Sequence, residues 1–128
     1  MPGTEVVVGA IVAVNAVGDV RHPRTGEILA GARAESGRGF RDTMDAVMNG
    51  HRVVVSAGAN TTIGAVATNA PFTKAETTKI AQMAQDGLAR AISPVHTMSD
   101  GDTIFALSTG KAAGLRADVS AVAPSQRW

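Results

Sequence analysis

Apolar and polar positions fall into blocks along the chain. Val6 to Ala16 is almost unbroken in β-branched or small residues, the pattern of a strand covered on both faces, and it closes at Asn15-Ala16-Val17-Gly18. It reads as a central strand. From Asp19 to Gly39 the chain turns polar and glycine-punctuated, which predicts loop, with a short strand at Ile28 to Ala30. Arg41 to Met48 places Met44, Val47 and Met48 on one side of a short helix ended by Asn49-Gly50. His51 to Gly58 is a polar lead into a short strand or an extended linker. The small-residue loop Gly58-Ala59-Asn60 then runs straight into a buried strand, Thr61 to Asn69.

Further on, Thr73-Lys74-Ala75-Glu76 spells a capping box and predicts a helix start. Ile80, Met83, Ala84, Gly87, Leu88 and Ala91 lie at the spacing of one helical face, and Pro94 ends the pattern. That stripe is core packing against a sheet. The stretch His96 to Gly110 is a polar turn feeding another buried strand, and Leu115 to Val122 opens a helix whose pattern breaks at Pro124.

Strands alternating with helices give an α/β chain, and 128 residues with 45% hydrophobic content suit one compact core. Aromatic residues are confined to Phe40, Phe72, Phe105 and Trp128, so the core is built from Ala, Val and Gly, which favours helices lying closely on sheets. The net charge of +1, with both signs mixed along the chain, leaves no footprint for nucleic acid or an anionic membrane, and Arg33, Arg38 and Arg41 read as a solvated face. Cysteine is absent, which excludes disulfides and thiolate metal sites and fits a reducing, cytoplasmic setting. The run Val6 to Val14 is too short for a membrane span and lacks the flanks of a signal peptide. His22 reads as a solvated loop histidine, and His51 has no second ligand at metal-site spacing. Gly110-Lys111 fails as a phosphate loop because position 105 is Phe and Ala112 follows the lysine.

The candidate chemistry sits at Asn60-Thr61. A threonine hydroxyl needs a base to become a nucleophile, and its own α-amino group serves once the preceding bond is cut. The plain alternative is a β-branched residue opening a strand. Asn15, an amide at the end of an apolar strand, is either satisfied by a turn or a donor aimed at a developing oxyanion. Asp100-Gly101-Asp102 is either a turn or a pair of carboxylates that orients and tunes a nearby ammonium or hydroxyl; a calcium loop fails for want of further oxygen ligands.

Three blocks, Asn60 to Ala70, Ala81 to Ile92 and Asp100 to Gly110, with the strand Val12 to Gly18, resemble the DmpA-like peptidases. That family holds the L-aminopeptidase/D-esterases, the β-peptidyl aminopeptidases and the nylon-oligomer (6-aminohexanoate) hydrolases. The resemblance implies part of a four-layer α/β/β/α sandwich of the N-terminal-nucleophile-like, self-cleaving type. It also implies a chain that cuts itself between Asn60 and Thr61, with Thr61 as the nucleophile and its freed amine as general base. Asn15 would match the family's oxyanion-stabilising asparagine, and Asp100 and Asp102 the pair that holds the nucleophile's amine. The substrate implied is a peptide or small amide, with no cofactor and no metal.

Family members are much longer, with the missing part preceding Met1, where a lysine or tyrosine completes the site in relatives. The expectation is therefore one incomplete hydrolase domain over 1–128, divided into a would-be α chain, 1–60, and a would-be β chain, 61–128. A fragment of a sandwich exposes sheet edges and an apolar face, which predicts association into homo-oligomers. The rival expectations are a catalytically dead remnant of the family and a self-cleaving acetyltransferase.

Overall fold

A computed structural model describes residues 5–51, 59–112, 114–115 and 117–122. The chain gathers into two compact units, one holding the described parts of Met1–Ala13, Ile63–Gly87 and Thr103–Trp128, the other those of Val14–Thr62 and Leu88–Asp102. The elements in order are β1 (Val8–Asn15), β2 (Asp19–Arg21), β3 (Ile28–Ala30), α1 (Thr43–Met48), β4 (Thr61–Thr68), α2 (Lys74–Ala91), β5 (Ile92–Ser93), β6 (Thr103–Ser108) and α3 (Val119–Val122).

The first unit is built on a three-stranded sheet in the order β1-β4-β6. β4 and β6 run parallel, in register from Ile63 opposite Thr103 to Thr68 opposite Ser108. Strand alternation decides what each face does. Gly64, Val66 and Thr68 are buried, and Val66 packs with Ile80, Ala84 and Val122 in a core that Phe72, Ile104 and Ala106 border. Gly64 is glycine for a reason of space: a Cβ there would stand 2.6 Å from the Ile104 Cδ1. The capping box forms, with Glu76 Oε2 accepting from the Thr73 N–H at 2.8 Å and from its hydroxyl at 2.7 Å. The Ser108 hydroxyl donates to the Ala70 carbonyl at 2.6 Å and accepts from the Phe72 N–H at 3.0 Å, which ties β6 to the turn that feeds α2.

On the other face, Ile63 is 52% and Phe105 59% exposed, and the register sets Ala65 beside Phe105 and Ala67 beside Leu107. This corrects two expectations. β1 is an edge strand and every one of its positions is exposed, not a central strand covered on both faces. β6 alternates between exposed and half-buried and is not buried throughout. An apolar β-branched run encodes strand and a wish for cover; it does not say where along the polypeptide the cover comes from.

The second unit carries a small antiparallel sheet, β3-β2-β5. Arg41 to Met48 supplies the expected helix, α1, capped by the Asp42 carboxylate on the Asp45 N–H at 3.0 Å and left through Gly50 at φ +77°. Fully buried Asp19 on β2 accepts from the Thr43 N–H at 2.7 Å and the Thr43 hydroxyl at 2.8 Å. Arg21, also on β2, pairs with Asp42 at 2.8 Å. The Asp19–Gly39 segment was expected as loop, with β3 as a short strand. β3 is there, and so is β2, a strand of three residues too short to leave a periodic signal. Residues 52–58, where a strand or linker was expected, lie outside the described residues.

Candidate active site

Every side chain of the candidate constellation belongs to the second unit. Asn15 enters from the end of β1, and two further stretches build the rest: the start of β4 with the residues before it, and the turn 96–102. They are joined by an isolated parallel bridge between Asn60 and Asp100.

At the centre, the Thr61 hydroxyl donates to the Asn60 carbonyl oxygen at 2.6 Å, so Oγ1 lies against the very peptide group it would attack. That carbonyl also accepts from the Gly101 N–H at 3.0 Å. Glycine at 101 makes room for the hydroxyl: a Cβ there would stand 2.9 Å from Thr61 Oγ1 and force it to shift. One peptide oxygen therefore holds two donors, one of which is a fixed backbone dipole.

Asp102 grips the next peptide along. Its Oδ1 accepts from the Thr62 N–H at 2.8 Å and its Oδ2 lies 2.7 Å from His96 Nδ1. Asp100 is turned the other way, its Oδ1 accepting from the Val17 N–H at 3.0 Å and its Oδ2 from the Thr97 N–H at 3.0 Å and hydroxyl at 2.6 Å. Burial pushes the Asp100 carboxyl up, but hydrogen bonds from the Thr97 hydroxyl and from the Val17 and Thr97 N–H groups, with the charge of His96, outweigh it. Asp100 is held below the usual aspartate range.

Asn15 donates from Nδ2 to the Ala59 carbonyl at 2.7 Å, one residue upstream of the Asn60 carbonyl, and the Asn60 side chain returns a bond to the Asn15 carbonyl at 3.3 Å. The five residues singled out from sequence thus gather in one place: Asn60 and Thr61 in the peptide at its centre, Asn15 behind it, Asp100 and Asp102 from the turn. Sequence reasoning passed over Gly101 and His96. A backbone N–H leaves no trace in side-chain chemistry, and a histidine in a polar turn gives no sign of its partner six residues on. Among the described residues, no group of three or more His, Asp or Glu side chains is placed to hold a metal ion, and no helix is long and apolar enough to cross a membrane.

A sequence model of peptidase family S58 matches residues 1–126. The chain belongs to peptidase family S58. It is 42% identical over 113 residues to an uncharacterized aminopeptidase of Mycobacterium leprae, a match that covers 80% of this chain and 29% of that protein. It is 37% identical over 113 residues to an uncharacterized aminopeptidase of Mycobacterium tuberculosis, covering 84% of this chain and 33% of that one. It is 33% identical over 103 residues to a 6-aminohexanoate-oligomer endohydrolase of Kocuria, covering 78% and 29%. The chain spans about a third of the length of these relatives.

Proposed function

We propose that this chain carries the nucleophile of an autoprocessing amide hydrolase, an aminopeptidase or oligoamide hydrolase, and that Thr61 is that nucleophile. The observation that carries the proposal is the Thr61 hydroxyl 2.6 Å from the Asn60 carbonyl oxygen, with the Gly101 N–H on the same oxygen. In the first step Oγ1 bonds to the Asn60 carbonyl carbon while the hydroxyl proton passes toward the departing Thr61 nitrogen. The oxygen that gains charge is the one Gly101 already faces, a donor in place before the charge develops. The carbon–nitrogen bond breaks, leaving an ester between Asn60 and Thr61 Oγ1 and a free amine on Thr61. Water hydrolyses the ester. The new amine then serves as general base for the same oxygen against a substrate amide.

Asn15 fits this sequence in two stages. In the uncut chain its amide is occupied by Ala59 and holds the segment that leads to the scissile bond. Once residues 59 and 60 are free to withdraw, that amide becomes a donor for the oxyanion of a substrate. Asp102 holds the Thr62 N–H just after Thr61, Asp100 holds the turn together through Val17 and Thr97, and the two carboxylates supply the negative field that a new ammonium at Thr61 requires. The substrate class, peptide or 6-aminohexanoate oligomer, follows from the names of the relatives; the bare face of Ile63, Phe105 and Leu107 supports a four-layer sandwich in which a second sheet covers it.

That bare face also favours a second reading, in which the chain folds fully and cuts only beside further polypeptide. Thr61 variants test the nucleophile directly. Thr61→Ser should still cut and Thr61→Ala should stay whole on a denaturing gel; cutting by Thr61→Ala at the wild-type rate would remove Thr61 from the mechanism.

A further inference from the structure

The turn 96–102 contains a side chain whose bonding the mechanism above leaves unexplained. The Asp102 side chain is 4% exposed, and an ionised carboxylate so enclosed is costly unless its oxygens are bonded. The Thr62 N–H takes one oxygen; His96 Nδ1, at 2.7 Å, takes the other. His96 is itself held in the left-handed region at φ +52°, uncommon for any residue with a side chain and maintained only where the surroundings fix it. Consecutive residues of this turn grip consecutive peptides of the nucleophile's strand: Gly101 N–H holds the Asn60 carbonyl and Asp102 holds the Thr62 N–H. Thr61 is clamped from both sides, and the imidazole bonds the other oxygen of the downstream clamp.

We propose that His96 is a positioning residue for Thr61, keeping the Asp102 carboxylate on the Thr62 N–H so that Oγ1 stays against the Asn60 carbonyl. This deepens the self-cleavage reading and rests on it. His96 acts through Asp102 and not by touching Thr61. Its Nδ1 carries the proton it donates both in the cation and in one neutral tautomer, so the contact needs no particular charge on the ring. Among the described residues, the charged groups that face the ring are Asp102, by the hydrogen bond, and Asp100, by its field. The ring is 38% exposed, so its removal opens a slot to solvent and not a core cavity.

The test uses two variants of the 128-residue chain and two readouts. His96→Ala should slow self-cutting by about 10–100-fold, the loss expected when a reacting group is displaced by a fraction of an ångström to an ångström. His96→Asn, which keeps a donor for Asp102, should recover most of that loss with an unchanged thermal midpoint. A His96→Ala chain that cuts at the wild-type rate, or a His96→Asn chain as slow as His96→Ala, overturns the proposal. The second readout is exchange of the Thr62 amide hydrogen in a Thr61→Ala background, which is uncut by design. Exchange should quicken by about tenfold or more with His96→Ala and not with His96→Asn; unchanged exchange in both overturns the proposal whatever the cutting does. If the wild-type chain never cuts while the amide responds as expected, the His96 contact stands and self-cutting by this chain alone is what falls.

Discussion

At the scale of residues, the account rests on one hydroxyl and one backbone donor sharing a carbonyl. Gly101→Ala brings a Cβ to 2.9 Å from Thr61 Oγ1 and must displace it. We expect self-cutting to slow by about a hundredfold, as near-attack geometry is lost, followed by densitometry of the two pieces against time. Asn15→Ala separates the two stages: hydrolysis of an added amide should fall by about 10²–10³-fold, the cost of one oxyanion donor, while self-cutting falls less, because Asn15 serves Ala59 before the cut. Equal losses in both assays would contradict that division. Asp100 gives a pH prediction with a definite sign. Its folded carboxyl titrates below the ordinary aspartate value, so the stability it contributes is complete above that value, about 3.9, and lost as pH falls through its depressed folded one. Urea midpoints measured from pH 7 downward should therefore drop more steeply in acid for the wild-type chain than for Asp100→Asn.

Residue type alone left Thr61, Asn15 and the two aspartates each with a plain alternative, a strand opening or a turn, and only the resemblance to a family drew them into one expected constellation. What it concealed was their division of labour. Asn15 faces Ala59 and not Asn60, and the direct donor to the Asn60 carbonyl is the backbone N–H of a residue whose missing Cβ leaves room for Thr61 Oγ1.

Among the elements, those written by local rules were readable: the capping box that opens α2, the Asn49-Gly50 exit from α1, and the strand that begins at Thr61. Elements fixed by distant partners were not. β2 exists because β3 and β5 pair with it on either side, information carried by residues 28–30 and 92–93. β1 was misjudged because composition reports propensity and not cover. The difference is measurable in denaturant. Ile80→Ala, at a position 1% exposed, should cost about 2–5 kcal/mol, whereas Ile11→Ala on β1 should stay within about 0.5 kcal/mol. A large cost at Ile11 would mean that β1 is covered after all.

For the whole molecule, the bare sheet face is the dominant feature. A row of Ile63, Phe105 and Leu107 beside an exposed edge strand should bind a hydrophobic dye and draw copies together as concentration rises. Phe105→Glu should weaken both effects, read by dye fluorescence and sedimentation, and leave α2 and its core intact. Membership of peptidase family S58, with about a third of its relatives' length in hand, makes the decisive question whether these residues alone assemble a working nucleophile. An intact-mass spectrum of the purified chain answers it. The account predicts two masses that sum to the uncut chain plus one water and divide it between Asn60 and Thr61. A single uncut mass, or a division at any other bond, would contradict it.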